Sequence, residues 1–217
     1  MKISVCVDAV YAGEDIKAAI DDVLANGLDT IEFWGWEDKD IQALEEYQKE
    51  KGFRVAAFCT KFISLTDPGL RDDYVKGLEE TLKIAERLNC RCLITQTGAD
   101  TGRSECSRES PDPRTEGLCP ASGEARCHIG SGASECKGGP SRLFPFCIRE
   151  AAEIIKEVGS PNVKMLFDIY HQQITEGDLI RRIQEYLPYI GHFMRQAIRD
   201  GMSCISRRSI TLMFSRQ

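Results

Sequence analysis

Residues 163–173 read VKMLFDIYHQQ, and the fold follows from this stretch. Val163–Phe167 is a short run of mainly apolar residues that fits a strand covered on both faces, the kind found in parallel sheets flanked by helices. Such a strand ends at a C-terminal rim, so Asp168 and His171 emerge there as a carboxylate and an imidazole facing one mouth. Parallel α/β folds build their sites at that rim. The competing reading is local: Asp168 caps the next turn and His171 packs over it.

Upstream of this stretch a strand and helix code repeats. Lys2–Val7 reads as a short buried strand, and Glu14–Asn26 as a helix with Ile16, Ile20, Val23 and Leu24 on one stripe, closed by Gly27. Thr30–Trp34, Arg54–Phe58 and Arg91–Gln96 read as strands. Between them lie helices at Asp38–Lys51, ended by Gly52, and at Pro68–Leu88, with Val75, Leu78, Leu82 and Ala85 facing inward. Arg149–Val158, using Ala152, Ile155 and Val158, and Glu176–Tyr186 are further helices, and Ile190–Phe193 is a short strand. Strands alternating with helices imply right-handed crossovers and a parallel sheet, so an α/β chain folded as one (β/α)8 TIM barrel over residues 1–217 is predicted.

Two intervals break the code. Between Gly102 and Arg149 the chain is rich in Gly, Ser, Pro, Cys and Arg without apolar periodicity, so 103–148 is predicted to be an anomalous disordered segment. The tail 194–217 is anomalous too, with Ile210–Phe214 its only strand-like run. The first gap has the length of a helix plus a strand. The barrel is therefore expected to be incomplete as written, with strands five and eight missing or replaced and unpaired edges beside each gap.

Composition narrows the function classes. With 217 residues, 42% of them hydrophobic, the chain can build a real core. A net charge of -6 with acidic and basic residues interspersed argues against nucleic acid, which needs a positive footprint. No apolar segment reaches the length of a bilayer span, and MKISVCVDAV lacks the order of a signal peptide, so no membrane partner and a cytoplasmic location are expected. Ten cysteines in a chain this core-rich do not read as a disulfide framework. Cys90 and Cys92 are expected to share one strand face as small buried hydrophobes, because no second Cys/His pair stands at structural-zinc spacing.

The blocks MKISVCVDAVYAG (1–13), DTIEFWGWEDKD (29–40), VAAFCTKFISLTDP (55–68), LITQTGADTG (93–102), EVGSPNVKMLFDIYHQQITEGDL (157–179) and YIGHF (189–193) resemble the hydroxypyruvate isomerases. These belong to the xylose-isomerase-like TIM-barrel group of sugar isomerases and epimerases. The resemblance implies an aldose–ketose isomerase that converts hydroxypyruvate to tartronate semialdehyde. Two glutamates move a proton between adjacent carbons of a small hydroxycarbonyl substrate through an enediolate, and a divalent cation, Mg or Mn, or a set of donors holds the oxyanion. It further implies Asp168 as the strand-six metal ligand and His171 as a substrate-binding imidazole, and leaves room for a homo-oligomer. Both family glutamates are absent as written, as is the His or Gln expected after GHF. With Asp168 as the sole carboxylate, a cation would be held weakly.

The genetic code offers a reason for these absences. Read one base out of frame, Leu118–Phe146 allows LLEKHGVTLVLEPLNVKVDHPGYFL within codon degeneracy, which restores a buried strand and a glutamate. A one-base shift from Met194 likewise turns MRQAIRDGMSC into HAAGNPGRHEL. Frame disruptions at about 103–148 and from 194 onward are the expectation.

Other candidates stand at intact strand ends. Glu32, Trp34 and Trp36 stand at the end of strand two, and Lys61 follows strand three; the resemblance implies an aromatic wall here, for which Trp34 is the candidate, and Lys61 offers a point charge for a substrate carboxylate. The plain alternative is that the Trp residues cover the rim and Lys61 is solvated. Gln96, ending strand four, is placed to bond a substrate hydroxyl. His128 receives no role, and His192 is expected to point away from the ligand position at 194. A ketose epimerase or inosose-type enzyme and a non-catalytic truncated barrel are the alternatives. An abasic-site nuclease is disfavoured by three histidines and the acidic charge.

Overall fold

The computed structural model describes residues 2–65, 67–96 and 148–195, except the side chains of 174 and 175, together with the backbone of 126–130 and 214–215. Strands β1 (Val5–Cys6), β2 (Thr30–Phe33), β3 (Arg54–Cys59), β4 (Cys92–Gln96), β5 (Arg126–Gly130), β6 (Val163–Asp168), β7 (Ile190–Met194) and β8 (Phe214–Ser215) form one sheet in chain order. All pairings from β1 to β7 are parallel. Helices α1 (Val7–Val10), α2 (Ile16–Ala25), α3 (Ile41–Lys51), α4 (Arg71–Arg87), α5 (Ile148–Val158), α6 (Ile169–Thr175) and α7 (Leu179–Tyr186) lie between them.

Local chemistry sets the helix ends. Asp15 caps α2 by accepting from the amides of Lys17 and Ala18, and Asp40 caps α3 through Ala43 N, each at about 3 Å. Gly52 ends α3 at φ 76°, in the left-handed region that favours glycine. The outer face of β1–β4 packs on α2–α4 through Ile20, Ile31, Phe33, Leu44, Phe58 and Leu93. A second cluster, with Ile148, Ile155, Met165, Phe167 and Ile190, seals β6 and β7 under α5 and α7. Alternate residues turn the other way: Ala57, Cys59, Ile94 and Leu166 pack together with Met194 inside the curved sheet.

Of the two outcomes expected for strands five and eight, missing or replaced, strand five is replaced: Arg126–Gly130 takes its seat and pairs in parallel with both β4 and β6, so these five residues form a strand where disorder was expected. The replacement works because ladder hydrogen bonds are made by backbone, which every non-proline residue carries. The remaining residues of 103–147 lie outside the described residues. The eighth strand is a two-residue piece antiparallel to β7, so it patches that edge rather than continuing the parallel series. Among the described residues no backbone pairing joins β8 to β1.

Smaller corrections concern faces. Val75 does not face inward but is 36% exposed, because the buried stripe of α4 runs one residue over, through Tyr74, Leu78, Thr81 and Ala85. Its first turn, Pro68–Leu70, is a 3-10 helix capped by Asp67. Cys90 precedes β4 and joins the outer core, whereas Cys92 packs in the lumen, so the two do not share a face.

Candidate active site at the strand-six rim

Asp168 is the last residue of β6 and lies on the lumen face two positions after Leu166. Its Oδ1 accepts from Tyr170 N at 2.8 Å and His171 N at 3.2 Å, which caps α6. His171 Nε2 stands 3.9 Å from Oδ2, and the Tyr170 ring meets the imidazole edge-on at 5.1 Å. The cap and the pairing with His171 are therefore both realised: one carboxylate oxygen is spent on helix amides and the other faces the imidazole. Burial raises the Asp168 pKa, opposed by His171 and the two amides.

A pKa raised on folding stabilises the fold while pH is below the unfolded value, and that stabilisation is lost as pH climbs through the folded value. At neutral pH the buried carboxylate thus works against folding. Asp168→Asn keeps an oxygen for the cap, so its melting temperature should equal or exceed that of the wild type at neutral pH, with the difference shrinking under acid conditions. Asp168→Ala forfeits the cap and should cost about 1 kcal/mol. Thermal midpoints of the three proteins at both pH values check this.

The other candidates are dispersed. Trp34 is 44% exposed at the end of β2, and its amide donates to Asp8 Oδ2 at 2.6 Å. Lys61 pairs with Glu80 of α4 and lies over the Trp36 ring at 5.4 Å, while Trp36 Nε1 bonds Thr81 Oγ1 at 3.1 Å. Gln96 closes β4, half-buried, with Gly130 as its strand partner. His128 is paired through its backbone with Ile94 and Lys164. Glu32 is not a rim residue: it lies inside β2, 1% exposed. His192 does not point away; alternation puts 192 and 194 on one face, and its imidazole reaches Glu32 at 3.3 Å. Ser4 and Asp8 drew no attention in the sequence, although polar residues alternating through ISVCVD were a readable signal.

A cleft of about 460 Å³ opens beside the ends of β1 and β2, lined by Val7, Asp8, Tyr11, Trp34, Glu37 and Phe62 among others; Asp168 is not part of its wall. Lys39 bridges Asp8 and Asp38 at its edge. The cation that the resemblance implies finds no complete cage in what is described. Among the described residues no three His, Cys, Asp or Glu side chains converge on a metal position, and one Asp168 oxygen is committed to amides. The described donor set does not fit a resident metal ion.

With the parallel barrel and the rim carboxylate in place, comparison with known proteins is decisive for the family. The profile of the xylose isomerase-like TIM barrel family matches residues 20–195. The chain belongs to this family. Among xylose isomerase-like relatives, the Danio rerio protein named "Putative hydroxypyruvate isomerase" is 29% identical over 139 residues, covering 61% of this chain and 50% of that protein. The 2-oxo-tetronate isomerase of Cupriavidus necator is 49% identical over 39 residues, covering 18% of this chain and 15% of that one. The chain thus spans about half the length of the hydroxypyruvate isomerase relative it matches. In structure, AP endonuclease family 2 from Brucella melitensis superposes with a TM-score of 0.79 at 19% identity, covering 92% of this chain and 81% of that one. The IOLI protein, solved with a bound zinc atom, gives 0.70 at 15% identity, covering 96% and 78%. These two likenesses are of fold. No helix among the described residues is long and apolar enough to cross a membrane.

Proposed function

We propose that this chain is an isomerase of the hydroxypyruvate type, acting on a small hydroxycarbonyl substrate by proton transfer through an enediolate, and that the polypeptide as written is impaired. The observation that carries the reading is the Asp168–His171 pair at the β6 rim, inside a stretch that resembles the hydroxypyruvate isomerases. Burial raises the Asp168 pKa, the direction that favours a carboxyl group acting as a general acid. In this reading the imidazole beside it donates to a substrate oxygen. A reaction that takes a proton from one carbon and returns it to the next needs a base on each, and the two glutamates that would serve are not spelled in this chain.

Incubation with hydroxypyruvate and added magnesium or manganese is expected to give little or no tartronate semialdehyde. Ordinary turnover would contradict the impairment. Nucleotide sequence across the codons of 103–148 and 194–217 tests its origin: a one-base displacement at each point is expected, and uninterrupted codons in both places would overturn it.

A further inference from the structure

Glu32 and His192 occupy strands that are not neighbours, since the sheet runs in order from β1 to β8. Yet the imidazole Nε2 stands 3.3 Å from Glu32 Oε1, and both side chains are almost wholly buried. The two meet through the interior of the curved sheet. Ser4 Oγ donates to the same Oε1, so two donors from opposite sides converge on one oxygen. Glu32 Oε2 has no hydrogen-bond partner among the described residues. Burying a carboxylate is costly and each contact it makes offsets part of that cost, which gives these two contacts leverage over where their strands stand. Burial first, and the Glu32 carboxylate second, push the thiols of Cys6 and Cys59 up to about 12, so neither thiol offers a competing charge.

Register shows what the contact holds. Glu32 pairs with Cys6 of β1 and Ala57 of β3; His192 pairs with Leu166 of β6, and two residues on Met194 pairs with Asp168. We infer that Ser4, Glu32 and His192 form a cross-lumen lock that positions the end of β7, and with it the strand-six rim, against the first three strands. It does from inside what closure by an eighth parallel strand does from the edge. All three are positioning residues, and the inference is independent of which substrate the mouth takes.

Hydrogen exchange of the full chain tests it. Glu32→Leu is expected to speed exchange of the β7 amides, Ile190–Met194, by at least about tenfold, and His192→Phe to do the same for β2, Thr30–Phe33. Glu32→Gln retains an acceptor oxygen for both donors and should move β7 far less. The double variant, Glu32→Leu with His192→Phe, should exchange no faster than the worse single variant, as expected of residues that act as a unit. Acceleration confined to the substituted strand, or additive effects in the double variant, would overturn the lock. Should Glu32→Leu not fold, His192→Phe alone decides: unchanged β2 exchange sinks the inference, and faster β2 exchange supports it.

Discussion

Replacing residues 121–145 by the one-base-shifted reading LLEKHGVTLVLEPLNVKVDHPGYFL is expected to stabilise the protein by several kcal/mol and sharpen its unfolding. The reason lies in the seat that Arg126–Gly130 occupies between β4 and β6. A strand there is covered on both faces in a barrel, and such strands read as continuous apolar runs. The written RCHIG holds one large aliphatic residue, whereas the shifted VTLVL at 127–131 holds four. Each fully buried Val or Leu contributes about 1.5–3 kcal/mol, and the corrected segment supplies more than one. Urea unfolding followed by near-ultraviolet circular dichroism reads the change. An unaltered midpoint would mean that the written segment already fills the seat equally well.

Phe58→Ala should be the most damaging single truncation on the intact side of the barrel. Phe58 is fully buried and stacks on Phe33 with ring centroids 5.0 Å apart, where β2 and β3 meet α2–α4. Removing a buried Phe costs about 3–5 kcal/mol, against a total stability of about 5–15 kcal/mol for an ordinary domain. A denaturation midpoint lowered by an amount equivalent to about 3–5 kcal/mol is the expected outcome. Phe62→Ala, four residues on and 57% exposed, should change stability by only about 0.5 kcal/mol. Equal midpoints for the two variants would contradict the assignment of the core.

Most of the architecture was readable because strand and helix periods differ and the punctuation was regular. Asp15 and Asp40 at helix starts and Gly52 at a helix end sit within a few residues of where the pattern put them. Helix α6 went unread because it begins immediately after β6 with Asp168 as its cap, so one residue belongs to both elements. In α4, Val75 looked like a stripe residue; the actual stripe includes Thr81, whose hydroxyl bonds Gly77 O and whose buried place hydropathy alone does not show.

Of the candidate site, the nearness of Asp168 and His171 was legible, since two residues three apart in one turn meet whatever the rest of the chain does. Lys61 was not, because its partner Glu80 lies on a helix nineteen residues away and only packing brings them together. By itself, the sequence determined the period of the elements, the parallel connection they require and the carboxylate at the end of strand six, all consequences of neighbours along the chain. Tertiary structure alone decided which residues fill the fifth seat, which way the last short strand runs and that Glu32 meets His192. Those outcomes depend on curvature of the sheet, which sets distances between strands far apart in sequence and leaves no mark on either strand taken singly.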